Sequence, residues 1–106
     1  MTDSPSRVTA TPSDDGKKLL ISIKGRFDFG AHQQFRDAYE KVFPKPTTYE
    51  IDLKDTTYLD SSALGMLLLL RDHAGGESAE VQITHSSSDV RKILAISNFD
   101  KLFSIS

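Results

Sequence analysis

Tyr49-Glu50-Ile51-Asp52-Leu53-Lys54-Asp55-Thr56-Thr57-Tyr58-Leu59-Asp60-Ser61-Ser62-Ala63-Leu64-Gly65-Met66-Leu67-Leu68-Leu69-Leu70 changes its period partway along. Tyr49, Ile51 and Leu53 alternate with polar residues, as a strand with one buried face requires. Asp60-Ser61-Ser62 then places side-chain oxygens directly before strong helix formers, which is how a helix start is written. The helix over residues 63–70 is apolar nearly all round, so more than one neighbour is expected to cover it. A strand leading into a helix in one short stretch is half of a β-α-β unit. Such units give parallel strands with right-handed crossovers.

Outward from this stretch the same grammar continues. Pro44 and Pro46 close a preceding helix over residues 31–43, whose apolar positions Phe35, Ala38, Tyr39 and Val42 fall at i, i+3, i+4, i+7. Residues 25–30 read as a loop. Residues 18–24, with Leu19, Leu20, Ile21 and Ile23, read as a strand buried on both sides. Asp15-Gly16 is a hairpin signal joining that strand to a short edge strand over residues 7–11. Residues 1–6 form a flexible leader.

On the other side Gly75-Gly76 ends the apolar helix. Val81 and Ile83 mark a strand over residues 80–84. Ser86 and Asp89, spaced as a capping box, open a third helix with Val90, Ile93 and Leu94 inward. Asn98 suits a left-handed cap, and residues 101–105 form a last strand. The expected fold is a single α/β domain over residues 1–106, ordered β-β-α-β-α-β-α-β. Its mixed sheet has parallel central strands with helices packed on it. The loops near residues 25–30, 54–62 and 85–88 should then gather at one end of the sheet.

Composition narrows the function. At 106 residues the chain holds one core's worth of apolar groups, and its net charge of -2 offers no polyanion-binding surface. No nucleic-acid partner is expected. The absence of cysteine removes disulfides, thiolate catalysis and cysteine-bound zinc, and fits a reducing, cytoplasmic setting. The longest apolar run is far below the roughly 20 residues of a membrane span, so no membrane partner is expected. His32, His73 and His85 are too dispersed for a metal site, and no metal or cofactor is expected.

Among chemistry-bearing residues, Ser61 stands at the helix start, where capping alone accounts for Asp60, Ser61 and Ser62. A nucleophilic serine lacks its G-x-S-x-G elbow and a neighbouring histidine, so no enzyme is expected. Asp28 enters the first helix from the loop at the same sheet end, where an acid can orient a hydroxyl for modification. Gly25 and Gly30 lack the Lys-Ser or Lys-Thr of a phosphate-binding loop. Asp52 and Asp55 read as solvating charges, and the residues 86–88 serine cluster as a cap.

Asp60-Ser61-Ser62-Ala63-Leu64-Gly65 resembles the Asp-Ser-[Ser/Thr]-Gly-Leu-Gly motif of the bacterial anti-anti-sigma factors, single-domain members of the STAS family. Gly25-Arg26-Phe27-Asp28 is similar to that family's Gly-x-x-Asp loop. Val90-Arg91-Lys92-Ile93-Leu94 and Asn98-Phe99-Asp100-Lys101-Leu102-Phe103 are similar to its third helix and last strand. The resemblance covers roughly residues 7–106. It implies an anti-sigma factor antagonist that binds an anti-sigma factor/serine kinase when unmodified and is released by phosphorylation of Ser61. A PP2C-type phosphatase would reset it. The resemblance makes Asp28, Asp60, Ser62, Ala63 and Gly65 the supporting and partner-binding residues, with Ser62 the alternative phosphorylation site. Ala63 and Asn98 depart from glycines usual in the family. The alternative is a non-switching STAS accessory or scaffold subunit of a transporter or signalling complex.

Overall fold

A computed structural model describes residues 7–42, 45–78 and 80–105. The leader at residues 1–6, Phe43 and Pro44 lie outside the described residues. The strands and helices run β1 (Arg7–Pro12), β2 (Lys18–Phe27), α1 (His32–Glu40), β3 (Thr48–Asp52), β4 (Thr56–Leu59), α2 (Ser61–Ala74), β5 (Glu80–Thr84), α3 (Ser88–Ile96) and β6 (Ser104–Ile105). The expected order therefore holds with one added strand, β4.

The sheet runs β1-β2-β3-β5-β6, with β1 antiparallel and β2, β3, β5 and β6 parallel. Register stacks the apolar alternation into rows: Leu19 beside Tyr49 beside Val81, then Ile21 beside Ile51 beside Ile83. Those residues are buried and meet Phe35, Tyr39, Leu67, Leu70, Val90 and Leu94 of the helices in one core. Truncating a fully buried leucine such as Leu67 removes about 2–5 kcal/mol from a core of this kind.

The opposite face carries Leu20, Ser22, Glu50, Asp52, Gln82 and Thr84, and none of these is buried. This corrects the expectation that the second strand is buried on both sides. Its pattern alternates, and Leu20 is only half-covered.

Two further expectations change. Residues 25–27 are not loop but the end of β2, which shifts register at Gly25 and there takes β4 as its parallel neighbour in place of β3. Gly25 has φ 87, a conformation that glycine adopts without a Cβ penalty. The N–H of Gly25 donates to the Asp55 carbonyl at 3.0 Å, and the Thr56 hydroxyl donates to the Ile23 carbonyl at 2.8 Å. Both bonds pin β4 to the bend.

As expected, more than one neighbour covers α2, which packs against α1, β4 and β5, but the helix keeps one open side. Ala63, Met66, Leu67 and Leu70 are buried, while Leu68 and Leu69 are 40% and 57% exposed. The second change is the cap of the third helix, which is Ser87, whose Oγ accepts from the Val90 N–H at 3.2 Å, and not Ser86, which is buried. Asn98 does adopt the left-handed conformation, with φ 62.

Candidate functional site

Because β2 and β4 are parallel and Phe27 pairs with Leu59, the residues that follow, Asp28 and Asp60, leave the sheet side by side. The two aspartates do the same local work. Both backbones are extended, at φ -136 for Asp28 and φ -120 for Asp60. Asp28 Oδ1 accepts from the Gly30 N–H at 2.9 Å and caps the 3-10 turn Phe29–Ala31 that leads into α1. Asp60 Oδ1 accepts from the Ala63 N–H at 3.1 Å and caps α2. These carboxylates satisfy N–H groups that a helix start leaves without an internal partner, and the dipole there favours their charge.

Ser61 is the first residue of α2 and is exposed, whereas Ser62 is half-buried. Ala63 is fully buried, so its part in the site is the N–H it gives to Asp60. One turn further, Gly65 is exposed, and a Cβ built there meets no atom within 4 Å. Leu68 and Leu69 extend the same exposed side of α2. Ser61, Gly65, Leu68 and Leu69 thus form a strip with a modifiable hydroxyl at one end and apolar surface at the other.

Sequence reasoning assigned no role to three neighbours. The Arg26 Nε–H donates to Asp28 Oδ2 at 3.1 Å, and its guanidinium lies 4.6 Å from the centre of the Tyr58 ring. Phe29 is 71% exposed and stacks on His32 with ring centres 5.4 Å apart. An exposed Arg, Tyr and Phe around two caps make a surface of the composition found at binding hot spots. The signal available in sequence was Gly25-Arg26-Phe27-Asp28. Without the β2–β4 pairing, nothing in it set Arg26 beside Tyr58.

The third loop joins the same end of the sheet. The Leu53 N–H donates to the Thr84 carbonyl at 3.0 Å, and His85 Nδ1 lies 3.1 Å from Asp52 Oδ1. Asp52 Oδ1 also accepts from the Lys54 N–H. The strands' parallel order gathers the three loops as expected. A groove of about 300 Å³ lies between α1 and α2, lined by His32, Phe35, Tyr39, Met66, Leu69 and His73 among others. It includes neither Ser61 nor Asp28. Among the described residues no group of three His, Cys, Asp or Glu is placed to hold a metal ion. No helix of the described residues is long and apolar enough to cross a membrane.

A family model described as "Mlab, STAS domain" matches residues 10–104. A STAS-domain containing protein of Pseudomonas aeruginosa is 67% identical over 99 residues, spanning 93% of this chain and 98% of that protein. Solved structures share the fold at low identity. An anti-sigma factor antagonist from Mycobacterium paratuberculosis has a TM-score of 0.77 at 17% identity, covering 95% of this chain and 85% of its own. The Bacillus cell fate determinant SpoIIAA in its phosphorylated form has a TM-score of 0.72 at 17% identity, covering 94% and 91%. A SulP transporter STAS domain from Vibrio cholerae has a TM-score of 0.60 at 17% identity, covering 78% and 69%.

Proposed function

Because the chain belongs to the STAS domain family, and because an exposed serine opens α2 beside two capping aspartates, we propose that it is an anti-sigma factor antagonist switched at Ser61. In this reading the protein is cytoplasmic and is not itself an enzyme. Unmodified, it docks the Asp28–Asp60 end and the exposed side of α2 onto an anti-sigma factor that is also a serine kinase. The kinase transfers the γ-phosphoryl group of ATP to Ser61 Oγ. The new O–P bond forms as the bond to the ADP leaving group breaks, and the hydroxyl proton passes to a base on the kinase. A PP2C-type phosphatase hydrolyses the phosphoserine and restores the binding form.

The observation that carries this reading is the position of Ser61. Its hydroxyl is not needed as the cap, because Asp60 performs that role. It is exposed on the first turn, and the apolar side of α2 continues from it. A phosphate there adds about -1.5 to -2 charges, which the helix N-terminus favours and Asp28 and Asp60 oppose. These contributions partly offset each other within the molecule, so the change falls on whatever is docked against it. A loss of about 3 kcal/mol at that interface is roughly a hundredfold in affinity.

The test is capture from cells by wild type, Ser61→Ala and Ser61→Asp, followed by reconstitution with the purified partner. An ATP-binding regulator retained by Ser61→Ala and released by Ser61→Asp supports the switch. The shared fold of the SulP transporter domain favours a second reading, a STAS subunit that stays on a membrane complex. Identical capture by all three forms, with a membrane complex among the proteins retained, selects that reading instead.

A further inference from the structure

We propose that Arg26 is the counter-ion of phosphorylated Ser61, exchanging its bond to Asp28 for one to the phosphate; the proposal rests on Ser61 as the modified residue. The argument begins with strand geometry. Residues two apart on a strand share a face, so Arg26 and Asp28 point the same way, away from buried Phe27. Across the β2–β4 ladder Arg26 is opposite Tyr58 and Phe27 opposite Leu59, where the pairing ends, and Asp28 and Asp60 are the residues that follow. Ser61 follows Asp60 directly. The guanidinium, bonded to Asp28 Oδ2 at 3.1 Å, therefore belongs to the ladder step beside Tyr58, three residues before Ser61 opens α2.

The head of Arg26 is held at the surface, between a carboxylate and an aromatic ring. The Tyr58 ring lies under the guanidinium at 4.6 Å, and the Arg26 side chain is 65% exposed. A dianionic phosphate offers more charge and more acceptor oxygens than a carboxylate, and the planar guanidinium can meet two of them at once. Asp28 loses little in the exchange, since its Oδ1 keeps the Gly30 N–H and the cap persists. Arg26 then faces α2, and the surface over Tyr58 and Asp28 changes character together with Ser61. The modification rearranges the docking surface through an existing ion pair and leaves the backbone in place.

The test uses the full chain carrying phosphoserine installed at position 61 during synthesis, in wild-type, Arg26→Gln and Arg26→Lys backgrounds. The phosphorus resonance is followed against pH. With Arg26 present the second ionisation of the phosphate is expected about half a pH unit lower than in Arg26→Gln, as a nearby cation favours the dianion. Arg26→Lys restores part of the difference, and salt near 1 M shrinks it. Superimposable titrations of wild type and Arg26→Gln, with both chains folded by circular dichroism, overturn the proposal. Installing the phosphate directly separates the two ideas. Arg26-independent titration alongside release by Ser61→Asp removes only the counter-ion. Arg26-dependent titration without any partner release removes only the switch.

Discussion

Asp60 was readable because a cap is local: an acid, a hydroxyl pair and a run of helix formers define it within a few residues. The cap of α3 was not, since Ser86, Ser87 and Ser88 are chemically alike. Backbone dihedrals choose among them, and His85 at φ 58 turns the chain so that Ser87 takes the role. Gly65 is legible only with the structure. A glycine inside a helix costs about 1 kcal/mol relative to alanine, and here no neighbouring atom of the chain requires it. Gly65→Ala is therefore expected to raise stability by roughly 0.5–1 kcal/mol in urea unfolding. It should also weaken binding of the anti-sigma partner, because the added methyl stands on the strip proposed to dock. A stabilised variant with unchanged affinity would take Gly65 out of the interface.

At the scale of elements, strands of five or more residues with alternating apolar positions were found from sequence, and β4 was not. Its burial pattern has only Thr56 and Leu59 inward, with two exposed residues between, and this is no period at all. It exists because β2 runs past the end of β3 and needs a new neighbour beyond Gly25. The exposed sheet face has its own electrostatics. Glu50 receives the Lys18 ammonium at 2.7 Å from one strand and the Thr84 hydroxyl at 2.8 Å from another. The hydrogen bond from Lys18 is the main reason its carboxyl lies below the ordinary value of 4.5, with burial opposing and Thr84 assisting. The folded state thus binds this proton less readily than the unfolded chain. Its contribution is complete above the unfolded carboxylate range and disappears as pH falls through the folded-state value. Glu50→Gln should cost up to about 1 kcal/mol at pH 7, as expected for a partly exposed pair. That difference should shrink as pH falls below the ordinary carboxylate value and through the lower folded-state one. A gap between variant and wild type that is constant with pH would assign the effect to packing.

For the molecule as a whole, one core joins all three helices to β2, β3 and β5, and the site lies at the end of that assembly. A charge added at Ser61 meets exposed surface, not core. Phosphorylation is expected to move backbone amide resonances within about a turn or strand end of the site, around residues 25–31 and 58–66, and to leave the rest of the sheet unchanged. Large shifts through β3 and β5 would contradict a switch confined to the surface.

The pairing of β2 with β4 has a kinetic consequence. The β1–β2 hairpin closes over a short turn, but Lys18 must find Thr48, Gly25 must find Thr56, and Thr48 must find Glu80. Each of those meetings closes a loop of about thirty residues, a topology that slows folding. Asp28 and Asp60 follow different strands and become neighbours only after such a closure. A nascent or partly unfolded chain carries the serine motif without that setting. An enzyme that recognises the juxtaposed pair is therefore also a proofreader, acting on chains whose folding is complete.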